Sequence, residues 1–313
     1  MVELADQRCA VVAILGAPNA GKSTLVNRLV GAKIAAVTHK VQTTRTVLRG
    51  VAMAGDAQLI LIDTPGVFAP RRRLDRAMVS AAWAALDGAD AIVHVVDAAA
   101  HAPYEDRNAA AARAVEDTAR IARRLREGEQ ASILVLNKID AVARPALLEM
   151  TRALTDQGLY TDVFMISATT GDGVNDLRAV LAERAPVHPW LFPEDQTADA
   201  PQRVLAAEIT REKAMLRLHD EVPYELTVET EAWEERGDGS VKIDQVVFVA
   251  RESQRKIAIG AKGQTVKVIG EAARKEMEAA FDRRVHLFLH VKVRENWTEE
   301  RALYQALGLD WDA

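Results

Sequence analysis

The sequence predicts two domains: an α/β domain whose mostly parallel sheet is covered by helices on both faces, and then a smaller α+β domain. Short aliphatic runs alternate with longer helical stretches over residues 1–185, and such alternation indicates crossovers between parallel strands. The stretch Ala185–Arg203 contains four prolines and interrupts this alternation. Beyond it, the predicted order becomes helix, strand, strand, helix, helix, strand, which is typical of a compact α+β domain.

The elements of the first domain follow from hydrophobic periodicity. Five aliphatic runs are predicted as strands: residues 10–16, 58–66, 91–97, 131–140 and 162–168. The helical stretches are Lys22–Val30, Leu74–Leu86, Arg107–Glu127, Pro145–Gln157 and Val174–Arg184. Five strands, each followed by a helical stretch, predict a doubly covered parallel sheet.

The second domain begins with a charged helical stretch, Pro201–Asp220. Two strand-like runs follow, at residues 224–235 and 241–251, with the turn RGDGS between them. Two short helical segments around residues 257–270 precede a last alternating run at 283–294. We therefore place the first domain at 1–185, a linker at 186–200, and the second domain with a C-terminal helical tail at 201–313.

Composition narrows the functional classes. The 313 residues are 49% hydrophobic and 27% charged, which is typical of a globular protein and excludes disordered and fibrous classes. The net charge of −5 provides no overall attraction to nucleic acid or an anionic membrane, so such contacts require a local basic patch. The single cysteine, Cys9, favours a reducing, cytoplasmic location. No apolar run approaches the roughly 20 residues of a membrane span. Peripheral contact with the inner face of the cell membrane stays open, and we expect a monomer.

A phosphate-binding loop is predicted at GAPNAGKS, residues 16–23, between a predicted strand and a predicted helix. In this pattern the glycines let main-chain NH groups surround the phosphates, a lysine reaches the terminal phosphates, and a hydroxyl binds Mg²⁺. Here those side chains are Lys22 and Ser23. The predicted loop comprises Gly16, Ala17, Pro18, Asn19, Ala20, Gly21, Lys22, Ser23 and Thr24.

The sequence NKID at residues 137–140 predicts that the base is guanine. A carboxylate at this position, Asp140, can accept two hydrogen bonds from guanine, whereas adenine offers no such donor pair. The SAT sequence after the next strand is expected to give the base a main-chain contact. The predicted guanine-binding residues are Asn137, Lys138, Asp140, Ser167 and Ala168.

DTPG at the end of a strand predicts the segment that senses the γ-phosphate, formed by Asp63, Thr64, Pro65 and Gly66. Asp63 is expected to hold Mg²⁺ through water, and the Gly66 NH to contact the γ-phosphate. Between this segment and the phosphate loop lies His39–Val47. A threonine there is expected to close over the metal, with Thr44 the first candidate and Thr43 the second. Ser23, Thr44 and Asp63 are thus the predicted magnesium residues.

Val67 follows the glycine of DTPG, where many GTPases carry a water-orienting glutamine. Valine cannot form a hydrogen bond with water, so the sequence leaves the hydrolysis rate open. Arg71, Arg72 and Arg73 come next. They are either catalytic cations or a solvated or partner-facing segment that moves with the nucleotide state, and we favour the second interpretation.

In the second domain, GAKG at residues 260–263 lies between two helical segments. A GxxG loop there lets a nucleic-acid backbone approach closely, beside an apolar groove for about four unpaired bases. The surrounding charge is basic, because five cationic residues accompany Glu252 alone, for a net +4. The predicted RNA-binding residues are Arg251, Arg255, Lys256, Ile259, Gly260, Ala261, Lys262, Gly263 and Lys267.

In their order and spacing, GAPNAGKS, QTTR, DTPGVF, NKID and SA resemble the translation-factor-related GTPases of the Era, Der and MnmE type. The second domain resembles a type II KH domain. The resemblance implies a P-loop GTPase domain followed by a KH domain, with Mg²⁺ as cofactor. It also implies that a hydrophobic residue replaces the catalytic glutamine and makes Asn19 a candidate ligand for K⁺.

The pairing of these two domains is similar to the Era family within that group. This implies a slow GTP/GDP switch that binds the 3′ end of small-subunit (16S) ribosomal RNA and assists maturation of a 30S-type subunit. The residues themselves support only single-stranded RNA. Two alternatives remain open: an assembly factor with negligible hydrolysis, or a related GTPase acting on another RNA.

Overall fold

The computed structural model describes residues 7–38, 40, 43–102, 108–156, 158–199, 201–219 and 222–313. These residues form two compact units. The first contains the described residues through Ile34, Thr44–Asp199 and Tyr304–Ala313, and the second contains those of 35–43 and 201–303. The predicted helix ends Arg107, Gln157 and Asp220, and the loop residues His39, Val41 and Gln42, lie outside the described ranges.

The first unit is built on a six-stranded sheet in the order β2-β3-β1-β4-β5-β6. Only β2 is antiparallel to its neighbour, β3, while the other pairs are parallel. The strands are β1 Arg8–Gly16, β2 Leu48–Ala54, β3 Ala57–Asp63, β4 Ala91–Asp97, β5 Ser132–Asn137 and β6 Tyr160–Ile166. The sheet confirms the predicted fold class.

Helices cover both faces of this sheet. Successive strand residues point to opposite faces, and the four consecutive residues Val12–Leu15 of β1 are all at 0% exposure. The helices of this unit are α1 Lys22–Val30, α2 Arg73–Ala84, α3 Ala98–His101, α4 Ala109–Glu127, α5 Arg144–Thr155 and α6 Val174–Arg184. Their bounds agree with the predicted helices to within two residues at the described ends. The short α3 was not predicted.

The strand β2 was also missed. Its sequence, LRGVAMA, lacks regular alternation, so its conformation depends on pairing with β3 along its whole length. Gly50 lies close beneath α1, because a Cβ added there would come within 2.6 Å of methyl groups of Val30 and Ile34. A tertiary contact, rather than local propensity, thus fixes this strand.

The second unit is a three-stranded sheet packed against helices, in the predicted order of elements. The strand order is β7-β8-β9, with an antiparallel pair followed by a parallel pair. The elements are α7 Gln202–Arg217, β7 Leu226–Glu235, β8 Val241–Val249, α8 Glu252–Ile259, α9 Gln264–Phe281 and β9 Val285–Val293. The helix α10, Arg301–Leu307, follows. None of the helices in the described ranges combines the length and hydrophobicity needed to cross a bilayer.

Candidate functional site

The phosphate loop connects β1, which ends at Gly16, to α1, which begins at Lys22. Within it, Asn19 has φ 62° and Gly21 has φ 97°, the left-handed region in which glycine and asparagine are the tolerated residues. A Cβ on Gly21 would also lie 2.1 Å from the side-chain nitrogen of Asn137. Two constraints therefore require glycine at position 21.

Lys22 is buried at the start of α1. Its Nζ donates to the main-chain oxygens of Gly16 at 3.1 Å and Ala17 at 3.0 Å. Burial lowers the pKa of Lys22 to about 8, and the carboxylate of Asp63 opposes this shift. The loop thus holds a desolvated ammonium among its own carbonyls, where an anionic phosphate is a stronger partner.

Ser23, Thr44 and Asp63 meet beside the phosphate loop. The Ser23 hydroxyl donates to Asp63 Oδ2 at 2.6 Å and lies 2.8 Å from the Thr44 hydroxyl. Thr44 Oγ1 is 3.4 Å from Asp63 Oδ2, and Asp63 is fully buried. These are hard oxygen donors with a single carboxylate, a set that fits Mg²⁺ when phosphate oxygens and water complete its octahedron.

Thr43, the second threonine candidate, lies outside this cluster. Its hydroxyl contacts the Thr38 hydroxyl at 2.7 Å and donates to the main-chain oxygen of Lys40 at 2.7 Å. Of the two predicted threonines, Thr44 is therefore the one whose hydroxyl reaches Ser23 and Asp63.

The segment after Asp63 packs closely against the phosphate loop. The Thr64 hydroxyl donates to the main-chain oxygen of Ile14 at 2.6 Å. A Cβ on Gly66 would lie 2.8 Å from the Cα of Pro18, so only glycine permits this approach. Pro65 lies between them and is buried.

The side chain of Val67 is part of the hydrophobic core. It is 0% exposed and packs in a cluster with Leu15, Trp83 and Ile121, while its main-chain NH donates to Gly16 at 3.1 Å. The valine therefore stabilises the fold beneath the segment, and its side chain does not face solvent.

The predicted guanine loops are tied to the phosphate loop by Asn137. Its side-chain nitrogen donates to the main-chain oxygen of Ala20 at 2.8 Å, and its side-chain oxygen accepts from the NH of Ala168 at 2.9 Å. Asn137 is only 2% exposed. The structure thus gives this residue a bridging position, which the motif alone does not show.

Lys138 and Asp140 follow the end of β5. Lys138 has φ 66°, and its ammonium pairs with Asp97 Oδ2 at 2.6 Å. Asp140 lies in a short 3₁₀ turn and is exposed, so its carboxylate is accessible to a base. Ser167 and Ala168 are buried, at 1% and 2% exposure.

Sequence reasoning missed two residues of this region, Asp97 and Arg28. Asp97 is the last residue of β4 and binds Lys138, whereas Arg28 on α1 donates to the main-chain oxygens of Ala168 and Thr169. Asp97 could have been found from the sequence, because an aspartate at the carboxyl end of a parallel strand often lies at a ligand site. No local pattern marks the second, which lies 140 residues from Ala168.

The three arginines after the γ-phosphate segment lead into α2, which begins at Arg73. Asp75 accepts from the main-chain NH groups of Arg71 at 3.1 Å and Arg72 at 3.0 Å, as expected for a carboxylate at a helix N-terminus. The side chains of Arg71 and Arg72 are exposed. The Arg73 guanidinium lies 4.2 Å from the centroid of the Trp311 ring.

The GxxG loop in the second unit joins α8 to α9 through a 3₁₀ turn. Gly260 has φ 74°, and a Cβ there would lie 2.1 Å from the Thr265 hydroxyl. Lys262 has φ 50° and Gly263 has φ 75°. Ala261 and Lys262 are exposed at the tip, so the loop presents main chain and one ammonium to solvent.

The predicted basic residues are not equally available. Arg251, Lys256 and Lys267 are exposed, but Arg255 pairs with Glu252 at 2.9 Å and donates to the main-chain oxygen of Val291 at 3.3 Å. Its charge is partly offset, and it holds α8 against β9. Of the apolar residues, Ile269 is 3% exposed, whereas Ile259 and Val266 are half-buried. These two offer an apolar surface.

Comparison with known proteins adds to this geometry. Residues 11–138 match the family described as a 50S ribosome-binding GTPase, and residues 221–298 match the KH domain family. The chain is 57% identical over 307 residues to GTPase Era of Caulobacter vibrioides, which covers 97% of each chain. The chain belongs to the GTPase Era family. GTPase Era of Maricaulis maris is 54% identical over 308 residues, 98% of each chain.

Two solved structures of Era are also similar to this chain in three-dimensional structure. One is Era in complex with MgGDPNP and nucleotides 1506–1542 of 16S ribosomal RNA, with a TM-score of 0.84 and 33% identity over 96% of this chain and 99% of that one. The other is a variant of Aquifex aeolicus Era bound to GDP·AlF₄⁻, with a TM-score of 0.85, 34% identity and the same coverage. The P-loop GTPase and KH assignments are thereby confirmed.

Proposed function

We propose that this chain is a GTP-binding and GTP-hydrolysing switch that binds single-stranded RNA at the 3′ end of 16S ribosomal RNA and assists maturation of the small ribosomal subunit. The observation that carries the proposal is the convergence of Ser23, Thr44 and Asp63 within 2.6–3.4 Å of one another beside the phosphate loop. Such a cluster serves a metal-bound triphosphate. The complex of Era with MgGDPNP and 16S RNA described above supports the choice of ligands.

In this proposal, each nucleotide group has its own residues. The loop Gly16–Thr24 binds the phosphates, and Lys22 exchanges its carbonyl partners for phosphate oxygens. Ser23 and Thr44 bind Mg²⁺ directly and Asp63 through water, and the metal neutralises charge on the phosphates. The guanine lies against Asp140 and the loop of Ser167 and Ala168, while Asn137 keeps that loop and the phosphate loop together.

Because Val67 is buried, we propose that a monovalent cation at Asn19, together with the closed Thr44 segment, supports hydrolysis in place of a glutamine. Potassium bound there supplies positive charge beside the phosphates. We expect faster GTP hydrolysis in K⁺ than in Na⁺ at equal ionic strength. The substitution Asn19→Gly deletes the ligand yet keeps the left-handed φ, and should abolish the difference. Equal rates in both salts for the unsubstituted protein would exclude the potassium site.

For the second unit, we propose that RNA bases lie beside Gly260–Gly263 and the backbone contacts Lys256, Lys262 and Lys267, with Arg251 near the helix start. The double substitution Ala261→Asp and Lys262→Asp should abolish binding of a 3′-end 16S oligonucleotide and leave GTP binding unchanged, because like charge then meets the phosphates. The control Lys275→Asp changes an exposed lysine of α9 that pairs with Glu271. RNA binding that survives both aspartates would contradict the groove assignment.

The domain boundaries at 185 and 200 and a monomeric state are part of the same proposal. We further propose that the protein acts in the cytoplasm, where its ribosomal target resides, with peripheral contact at the inner face of the membrane. Sedimentation of the purified protein tests the monomeric state. Flotation with anionic vesicles at physiological salt tests the contact with the membrane. The alternative is a GTP-binding factor that does not hydrolyse GTP. Measuring phosphate release at saturating GTP distinguishes the two functions, because only a GTPase releases phosphate.

A further inference from the structure

Three charged residues of α7 are buried in the second unit, although neither the nucleotide site nor the GxxG loop uses them. Glu208, Arg211 and Glu212 are 7%, 2% and 3% exposed. Burying a charge is costly unless it is paired and hydrogen-bonded. Their partners therefore indicate what this helix holds in place.

Arg211 makes a fork-shaped contact on one side and a main-chain contact on the other. Its Nε donates to Glu208 Oε1 at 2.9 Å, and its Nη2 donates to Glu208 Oε2 and to the main-chain oxygen of Thr43. A planar guanidinium held by a carboxylate has little freedom. The Thr43 carbonyl is thus bound by a group that is itself fixed.

The same helix holds this segment at two more places. Glu212 Oε2 accepts from the main-chain NH of Val37 at 2.7 Å, and the Lys40 ammonium donates to the main-chain oxygen of Leu218, directly after α7. Lys213 pairs with Glu212 at 2.9 Å and also with Glu276. The segment before Thr44 is therefore held by α7 through the main chain of Val37 and Thr43, and by the residue after α7 through the side chain of Lys40.

The next residue in the chain belongs to the nucleotide site. Thr44 follows Thr43 through one planar peptide group, and consecutive Cα atoms are about 3.8 Å apart. The Thr44 hydroxyl is the one that lies 2.8 Å from Ser23. Fixing the Thr43 carbonyl therefore restricts where the Thr44 side chain can lie.

We propose that Arg211 is a positioning residue for the GTP site: with Glu208 behind it, it holds the Thr43 carbonyl so that Thr44 reaches Mg²⁺ and the γ-phosphate. This inference rests on the proposed function. Because coupling is reciprocal, closure of Thr44 over GTP stabilises the same position of the segment on α7. The nucleotide bound at Thr44 and the contact between Arg211 and the Thr43 carbonyl therefore influence each other through the Thr43–Thr44 peptide group.

The test compares affinities for GDPNP and GDP at saturating Mg²⁺, measured by displacement of a fluorescent nucleotide. Arg211→Ala should lower the affinity for GDPNP about tenfold, within the usual range of coupling between sites. The affinity for GDP should not change, because Thr44 is expected to contact the metal only when the γ-phosphate is bound. Arg211→Lys should recover part of the loss, because an ammonium reaches one acceptor but cannot form the fork. Glu208→Gln should give an intermediate loss.

The control is Arg217→Ala, which removes an exposed arginine from the end of α7 and should change neither affinity. If Arg211→Ala does not fold, Arg211→Lys and Glu208→Gln decide the question. A lower melting temperature with an unchanged ratio of GDPNP to GDP affinity would make Arg211 a purely structural residue and overturn the inference, as would an equal loss for both nucleotides.

A second readout is RNA affinity. In the unsubstituted protein the 3′-end oligonucleotide should bind more tightly with GDPNP than with GDP, and Arg211→Ala should erase this difference without lowering the affinity measured with GDP. Failure of the unsubstituted protein to bind GDPNP would overturn the proposed function and this inference together. Normal nucleotide and RNA binding, with no effect of the Arg211 and Glu208 variants, would overturn only the inference.

Discussion

The side-chain amide of Asn137 donates a 2.8 Å hydrogen bond to the main-chain oxygen of Ala20, in the middle of the phosphate loop. Its oxygen accepts from the NH of Ala168 at 2.9 Å. One buried amide therefore joins the loop expected to hold the phosphates to the loop expected to hold the base. We therefore expect the guanine motif to contribute to binding partly by fixing the distance between these loops, and not through Asp140 alone.

We predict that Asn137→Ala lowers the affinities for GTP and GDP by the same factor, roughly 10- to 100-fold. The substitution removes two buried hydrogen bonds and leaves their partners unsatisfied, at a cost of about 1–3 kcal/mol, while neither contact senses the γ-phosphate. Calorimetric titration with each nucleotide measures this. The control is Asn108→Ala, which removes only the cap of α4. A loss confined to GTP would contradict the bridging role.

Asp140→Asn should transfer preference from guanosine to xanthosine nucleotides. The carboxylate acceptor becomes an amide that can donate to the additional carbonyl of xanthine. Competition between GDP and xanthosine diphosphate gives the preference, with Asp156→Asn as the control at an exposed site after α5. If guanosine is still preferred, the base lies against another residue.

Val67→Gln should destabilise the protein without accelerating hydrolysis. The side chain at this position is 0% exposed among apolar neighbours, so an amide there loses its water contacts and overfills the core. We expect the free energy of unfolding to fall by roughly 2–4 kcal/mol, measured by urea denaturation. Val187→Gln, at a 68% exposed valine, should change it by less than about 0.5 kcal/mol. A large increase in rate would show that residue 67 can reach the phosphates.

Asp117 on α4 should make stability depend on pH below neutrality. Burial is the largest influence and raises the pKa of this carboxyl to about 6, although Arg120 and the NH of Ala69 oppose it. Between about pH 4 and pH 6 the folded state therefore binds a proton that the unfolded state releases, and stability falls as the pH rises.

Asp117→Asn removes this titration. Relative to the unsubstituted protein, the variant should gain roughly 2 kcal/mol of unfolding free energy as the pH is raised from 4 to 7. Chemical denaturation at each pH gives the difference. Glu127→Gln, at the exposed end of the same helix, controls for the loss of a surface charge. A difference that does not vary with pH would contradict the buried-carboxyl interpretation.

The regular elements could be predicted because their patterns are local. β4, α1 and α6 have the predicted bounds, because the hydrophobic pattern of each runs without interruption. In addition, α1 follows a recognisable phosphate-loop motif. β2 could not be predicted, because its sequence shows no alternation and its position depends on β3 and on the close approach of Gly50 to α1.

The same distinction holds for the site. The motifs single out Ser23, Asp63 and Asp140, because their residue types and spacing are typical of phosphate, metal and base binding, and the structure brings Ser23 and Asp63 together. They did not predict the bridging position of Asn137 or the contact between Arg211 and Thr43, which are 168 residues apart in the chain. Long-range pairs of this kind depend on the folded arrangement of both partners, and no single stretch of sequence records them.

The proposed switch requires that nucleotide binding at the GTP site and RNA binding at the GxxG loop are thermodynamically coupled. The most direct test is the affinity of the unsubstituted protein for a 3′-end 16S oligonucleotide at fixed salt, with saturating GDPNP or GDP. We predict that the RNA binds at least fivefold more tightly with GDPNP than with GDP, the lower end of typical coupling, and that bound RNA raises the affinity for GDPNP by the same factor. Identical RNA affinities in the two nucleotide states would contradict it.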